Sequence, residues 1–257
     1  MPAIPPGTLE AFGLYLVRTS ALMIASPLYG TATGFSGYRI TLIVAVSFLL
    51  YSVGGVPLAS SPAPFEFACL VLRELMIGLF LAFSLQAALV AIRVAGELVG
   101  HEMGFNMASL VDPTTGISAP LVTQIYEVFF FLGLLAVDGH HLLLSALGDS
   151  FRSAPVGALD LSGDIAWIAQ AQFTQMFAAG ITFAAPVVIL LFLTSLLIGV
   201  LARAVPHLQI MEVGFSARIA VGMIGLLLFA PQLVPALTGL YQGFANGLEG
   251  AVEALAR

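Results

Sequence analysis

The side chains that could do chemistry in this sequence are few and lie far apart along the chain. The main groups are Arg73-Glu74, His101-Glu102 and Asp138-Gly139-His140-His141. Covalent catalysis needs a nucleophile activated by a nearby base, and nucleotide binding needs a Gly-rich loop with its lysine. The sequence contains no HExxH, CxxC, GxxxxGK(S/T) or GxSxG motif. We therefore predict that the protein is not an enzyme and binds no cofactor.

Two adjacent histidines, His140 and His141, are the best candidates for metal binding by residue type. Neighbouring residues of a helix project about 100° apart, so we expect the two imidazoles on different faces and predict no metal site. Two alternatives remain open for these residues, which are contact with a partner at a capped turn and catalysis by an intramembrane enzyme. For the second, the sequence offers no companion nucleophile.

Composition indicates which class of protein must position these residues. Hydrophobic residues make up 60% of the 257 positions and charged residues 9%, whereas about a quarter of a soluble protein is charged. We therefore predict an all-α, polytopic integral membrane protein. Its 14 acidic residues outnumber its 8 arginines, and it has no lysine, so the charge balance argues against a nucleic-acid partner.

Apolar runs follow one another along the whole chain. A membrane span needs about 20 residues. Thr8 and Asp138 are predicted N-caps, and Pro186 is predicted to break or kink the longest run. The predicted helices cover residues 9–29, 39–52, 65–99, 121–137, 138–151 and 165–202, followed by two that meet in a hairpin at the PQLVP turn within 219–248.

The third of these helices carries charges at both ends of its apolar part. Arg73 and Arg93 lie ~30 Å apart at 1.5 Å per residue, which matches two membrane interfaces. Arg93, Glu97 and His101 fall on one polar face. Two interpretations are open: ordinary anchoring at the interfaces, or packing of this face against a partner or a wet cavity.

A polar stretch punctuated by Gly and Pro, GHEMGFNMASLVDPTTGISAPLVTQ at residues 100–124, interrupts the apolar runs near the middle of the chain. It is too apolar for an ordinary solvated loop and too broken for a span. Flexible Met and Phe side chains on such a backbone can fill a lumen and exclude water, because they need no sequence-specific contact. The alternative is a buried connector without a gating role.

Three blocks of the sequence resemble the FliR family of flagellar type III export-gate proteins and their injectisome counterparts. They are GHEMGFNMASLVDPTTGISAPL, VDGHHLLLSALGDSFRSAPVG and APVVILLFLTSLLIGVLARAVPHLQIMEVGFSARI, in the order that the family keeps. Two residues depart from the family pattern. Gln209 stands where an Asn is usual, and Ser216 where a Pro often follows Gly-Phe.

The resemblance implies a subunit of the export gate in the bacterial inner membrane, at the flagellar basal body. In that family one copy assembles with several copies of FliP and FliQ into a closed channel for unfolded flagellar proteins, and FlhB is a further expected partner. The implied fold is a single membrane domain of tilted helical hairpins, some broken at Gly or Pro. It is FliP-like over residues 1–160, including a plug loop at 101–120, with a FliQ-like C-terminal hairpin in 161–257.

The resemblance assigns the pore plug, and the residues themselves predict further roles. The pore plug is carried by Met103, Gly104, Phe105, Asn106, Met107, Ala108, Ser109, Leu110, Val111, Asp112 and Pro113. Polar groups that face other subunits or the lumen, or else pair within the chain, are Arg73, Arg93, Glu97, Glu102, Glu127, His140 and His141. The turn that follows the longest apolar run is marked by Pro206, Gly214 and Arg218. The rival interpretation is a secondary transporter for a small solute, since helices broken at Gly and Pro also suit a midplane substrate site.

Overall fold

A computed structural model describes residues 5–30, 36–59, 61–105, 121–157, 165–204 and 210–256. Over these residues the protein forms eight helices and no strand, which confirms the predicted all-α fold. They are α1 (Thr8–Ala25), α2 (Pro27–Gly30), α3 (Ser36–Gly54), α4 (Pro64–Met103), α5 (Leu121–Ala136), α6 (Gly139–Ser153), α7 (Ile165–Ala204) and α8 (Ile210–Ala256). Five of them, α1, α3, α4, α7 and α8, are long and apolar enough to cross a membrane, and α5 with α6 makes a sixth if the pair is one span.

The helices form two compact units, each built from separate parts of the chain. The first unit contains Met1–Ala87, Val137–Phe173 and Gly243–Arg257, and the second contains Ala88–Ala136 and Thr174–Gln242. Helix α4 contributes its first part to one unit and its last part to the other. The two units are defined by contacts within the chain and not by similarity to other proteins. The predicted division into FliP-like and FliQ-like parts at residue 160 therefore stays a prediction.

Close packing of α1 on α4 organises the first unit. A Cβ added at Gly78 would come within 2.5 Å of the carbonyl oxygen of Arg18 and 2.7 Å of the Ala21 Cβ, so only glycine allows this approach. The rings of Tyr15 on α1 and Phe151 on α6 stack with centroids 4.1 Å apart. The apolar residues at these contacts are buried, and they bring α1, α4 and α6 together.

The second unit is also held by close contacts. A Cβ at Gly96 would come within 2.5 Å of the Thr123 Cα, and one at Gly180 within 2.5 Å of the Ala91 carbonyl oxygen. These glycines allow α5 and α7 to approach α4 closely. Helix α8 joins through Tyr241, whose hydroxyl donates a 2.7 Å hydrogen bond to the carbonyl oxygen of Phe130.

Of the two predicted N-caps, only Asp138 occupies the cap position in the structure. The first helix is capped by Gly7 at φ 81°, and Thr8 is its first residue, so the Thr8 prediction is wrong. A Cβ at position 7 would overlap the carbonyl oxygen of Leu58, which explains why glycine occupies the cap. Asp138 does occupy the cap position of α6, but at φ 54° and without a capping hydrogen bond from its side chain. Its backbone carbonyl instead accepts from the N–H of His141 and of Leu142.

The prolines do not end the long helices. Helix α7 continues through Pro186 for 40 residues, and α8 continues through Pro231 and Pro235 for 47 residues. The hairpin predicted at PQLVP is therefore wrong, as is a break into two spans at Pro186. A proline removes one helical hydrogen bond, whereas a helix that ends in hydrocarbon leaves several backbone groups without partners. Each backbone group without a partner in hydrocarbon costs several kcal/mol. Continuing the helix through a proline therefore costs less free energy than ending the helix there.

Much apolar surface of the long helices is not covered by the rest of the chain. In the most hydrophobic windows, 67% of the α4 residues are buried, against 11% for α3, 17% for α7 and 17% for α8. Helix α4 is thus the most buried of these four helices, and the other three expose large apolar faces, which is unfavourable in water.

Candidate functional site

The start of the predicted plug loop is a well-formed helix end. The N–H of Gly104 donates to the carbonyl oxygen of His101 (3.0 Å) and that of Phe105 donates to Gly100 (3.1 Å). With Gly104 at φ 87°, these two bonds make the standard glycine termination of an α-helix. The direction in which the chain leaves α4 is therefore fixed. The remaining plug residues, Asn106 to Pro113, lie outside the described residues.

Helix α8 fits closely against this helix end. The Met103 side chain is completely buried, and a Cβ at Gly222 would lie 2.7–2.8 Å from its Cγ, Cε and Sδ atoms. A Cβ at Gly104 would lie 3.2 Å from the ring of Phe215. Gly222 thus makes room for Met103, and Gly104 leaves room for the Phe215 ring, so the loop begins from an anchored base.

Of the predicted polar residues, Arg93 and Glu127 are brought together. The Nε of Arg93 on α4 donates to Oε1 of Glu127 on α5 at 2.6 Å, with the two side chains 39% and 26% exposed. The structure thus contains the intrachain alternative for this pair, and contact with another subunit stays a prediction. Glu97 is exposed and Glu102 half-buried, and neither has an ion pair within the described ranges.

Arg73 belongs to a buried cluster, so the structure contains the intrachain alternative for it as well, whereas its partners Glu74 and Arg18 were not predicted as site residues. Arg73 was expected to mark a membrane interface with Glu74, yet both side chains are buried, and Arg73 Nη1 donates to Glu74 Oε1 at 2.9 Å. The third member is Arg18 of α1, whose Nε donates to Glu74 Oε2 at 2.5 Å. A lone arginine inside an apolar helix was the signal that could have identified it, because such a charge needs a buried partner.

The cluster also binds the end of α6. Arg18 donates to the carbonyl oxygens of Ser150 (2.8 Å) and Ala154 (2.9 Å), and Arg73 donates to that of Pro155 (3.2 Å). Two cations face one carboxylate, and the carbonyls at a helix C-terminus supply about half of a further negative charge. The arrangement ties α1, α4 and α6 of the first unit together at one place.

The histidine turn brings two imidazole rings and a carboxylate close together. The rings of His140 and His141 have centroids 4.2 Å apart, although the residues are adjacent on the helix. The Nδ1 of His141 lies 3.6 Å from Oδ1 of Asp138, and the Nδ1 of His140 is buried without a hydrogen-bond partner in the described part of the chain.

Two of the three predicted turn residues, Gly214 and Arg218, lie within α8, so their assignment to a turn is wrong. Pro206 is outside the described residues. Gly214 is buried, and a Cβ there would come within 3.3 Å of the Ile198 Cγ2 on α7. The Nε of Arg218 is buried and has no hydrogen-bond partner among the residues described. Gly214 thus allows α8 to start close beside α7.

The chain is similar in sequence to known bacterial export proteins. The family model described as "Bacterial export proteins, family 1" matches residues 9–244. The flagellar biosynthetic protein FliR of Bacillus subtilis (strain 168) is 33% identical over 220 residues, covering 84% of this chain and 85% of the relative. FliR of Escherichia coli (strain K12) is 28% identical over 241 residues, covering 93% and 92%. FliR of Pectobacterium carotovorum subsp. carotovorum is 33% identical over 222 residues, covering 85% and 84%.

These matches extend over nearly the whole chain, and the structure contains the long apolar helices of a membrane protein. They indicate a membrane component of the flagellar biosynthesis and export machinery. The chain belongs to the bacterial export proteins of family 1, the family of FliR.

Proposed function

We propose that the protein is a structural and gating subunit of the flagellar type III export channel. In this proposal it lies in the bacterial inner membrane at the flagellar basal body and assembles with FliP and FliQ around a closed pore, with FlhB as a further partner. Unfolded flagellar proteins are the cargo.

The observation that carries the gating role is the anchored base of the central loop. Met103 is completely buried beside Gly222, and Gly104 closes α4 with both hydrogen bonds of a helix end. A seal for extended polypeptides must admit many side chains when open and hold back ions when shut. A loop that is held at its base and rich in Met and Phe suits that task, because its side chains fill space without specific contacts.

Assembly with other subunits is supported by the exposed apolar faces. Helices α3, α7 and α8 each leave more than four-fifths of their most hydrophobic windows unburied by this chain. Lipid or other membrane subunits must cover such surfaces. In an assembly that encloses a pore, both do so.

Native mass after mild detergent extraction tests the assembly. The chain is extracted from cells that also express FliP and FliQ. We expect to find it only in a hetero-oligomer far larger than its own 26.9 kDa. A chain that remains alone under these conditions would contradict the proposal. Solute uptake by the isolated chain in liposomes would instead favour the secondary transporter.

A further inference from the structure

Three potential metal ligands meet at the turn between α5 and α6. Asp138 lies in the left-handed conformation at φ 54°, and the histidines of the first turn of α6 follow directly. One ligand atom from each of Asp138, His140 and His141 lies within 4.8 Å of the other two. The backbone turn therefore gathers a carboxylate and two imidazoles that are almost consecutive in sequence.

The distances agree better with metal ligands than with a hydrogen bond. The Nδ1 of His141 lies 3.6 Å from Oδ1 of Asp138, which is too long for a hydrogen bond. Two ligand atoms at ~2.1 Å from a tetrahedral zinc ion are about 3.4 Å apart. The pair is thus spaced to hold one ion, and a side-chain rotation can bring in the third ligand atom, which lies within 4.8 Å of both.

His140 supplies an independent observation. Its Nδ1 is buried and has no hydrogen-bond partner among the described residues. A buried polar atom without a partner is destabilising, and a metal ion bound by Nδ1 would satisfy it. The side chains of Asp138 and His141 are 74% and 72% exposed, so an ion can enter from solvent and keep a water ligand.

We propose that Asp138, His140 and His141 form a binding site for one divalent transition-metal ion, of which Zn²⁺ is the natural probe. Two imidazoles and one carboxylate suit Zn²⁺, Ni²⁺, Cu²⁺ and Co²⁺, whereas Ca²⁺ and Mg²⁺ prefer oxygen ligands alone. A bound ion links the turn residue to the first turn of α6. The site is independent of the export role and is occupied whether or not the gate assembles.

Zinc binding is measured on the full chain in detergent, without a polyhistidine tag and after removal of metals with a chelator. Titration with ZnCl₂ against a coloured competing chelator should show one saturable site per chain. His140→Ala and His141→Ala should each weaken zinc binding about tenfold or more. Asp138→Asn, which keeps a residue that tolerates the left-handed conformation, should also weaken it. His101→Ala, outside the cluster, should leave it unchanged.

Cobalt(II) gives a test that needs no variant. Co²⁺ is added to the chain from which other metals have been removed. If it binds with tetrahedral nitrogen and oxygen ligands, its visible absorption should be intense. Added zinc should displace the cobalt and remove this absorption. Absence of saturable zinc binding by the unmodified chain would overturn the site. An equal loss of affinity in His101→Ala and His140→Ala would overturn it as well, as would a weak cobalt spectrum typical of the hydrated ion.

Discussion

Arg18 and Glu74 form an ion pair in which neither side chain is accessible to solvent, with Arg18 Nε 2.5 Å from Glu74 Oε2. The residues lie 56 positions apart in sequence and join α1 to α4. The guanidinium also packs over the ring of Phe151, 4.2 Å from its centroid. An ion pair in such a place need not stabilise the fold more than apolar residues would, but removal of one partner leaves a buried charge without compensation.

Glu74→Gln should therefore destabilise the protein strongly. It leaves the guanidinium groups of Arg18 and Arg73 buried without their carboxylate, and loss of one partner of a buried pair costs about 3–5 kcal/mol. Thermal unfolding of the detergent-solubilised chain measures the loss. Asp149→Asn is the matched control, because it makes the same chemical change in the exposed pair with Arg152 and should cost under about 0.5–1 kcal/mol. Equal losses of stability in the two variants would show that the buried cluster contributes no more to stability than the exposed ion pair does.

Two glycines should respond differently to the same added methyl group. At Gly78 an added Cβ meets backbone atoms of Arg18 and Leu22, which cannot move separately from α1. We expect Gly78→Ala to lower the free energy of unfolding by about 1–3 kcal/mol. At Gly199 of α7 an added Cβ meets nothing within 4 Å, so Gly199→Ala should be neutral or slightly stabilising. Unfolding midpoints of the two variants compare them, and a neutral Gly78→Ala would contradict the close crossing of α1 and α4.

The sequence predicted the fold class and the approximate helices, because apolar runs as long as a membrane is thick are a strong signal. It placed Arg73 and Glu74 at an interface, because periodicity shows where a charge lies along a helix but not what packs beside it. The partner Arg18 is distant in sequence, so only the tertiary structure reveals the pair.

The predicted breaks at the prolines were wrong for a related reason. The effect of a proline on a helix depends on what surrounds the helix, which the sequence does not show. The ring approach of His140 and His141 depends on the side-chain rotamers, which a helical wheel does not contain.

Tyr241 and Gly133 form a second pair that can be tested together. The hydroxyl of Tyr241 donates to the carbonyl oxygen of Phe130, and a Cβ at Gly133 would overlap that hydroxyl. Tyr241→Phe should cost about 1 kcal/mol through the lost hydrogen bond. Gly133→Ala should cost more alone than in the Tyr241→Phe background, where the oxygen is gone. Unfolding midpoints of the two single variants and the double variant check this. Strictly additive effects would contradict direct contact between the two positions.

The pair of Arg93 and Glu127 allows the intrachain and inter-subunit alternatives to be separated. Glu127→Arg places two cations side by side, so we expect reduced motility of cells that depend on this chain. The charge swap Arg93→Glu with Glu127→Arg restores the attraction and should recover motility if the two residues pair only with each other. Swimming in soft agar measures the result. Failure of the swap, with the double variant present in the membrane at normal levels, would indicate that a further subunit contacts one of them.

Shortening the segment from Phe105 to Asp112 tests the plug directly. The segment follows the anchored base formed by Met103 and Gly104, and the helices that expose apolar faces are left unchanged. We therefore expect the variant to co-purify with FliP and FliQ as the unmodified chain does. Ion leakage across the membrane should rise, because the lumen loses side chains that exclude water. Conductance of the reconstituted assembly measures the leak. Unchanged conductance in a correctly assembled variant would remove the plug role from these residues, and failure to co-purify would assign the segment to assembly instead.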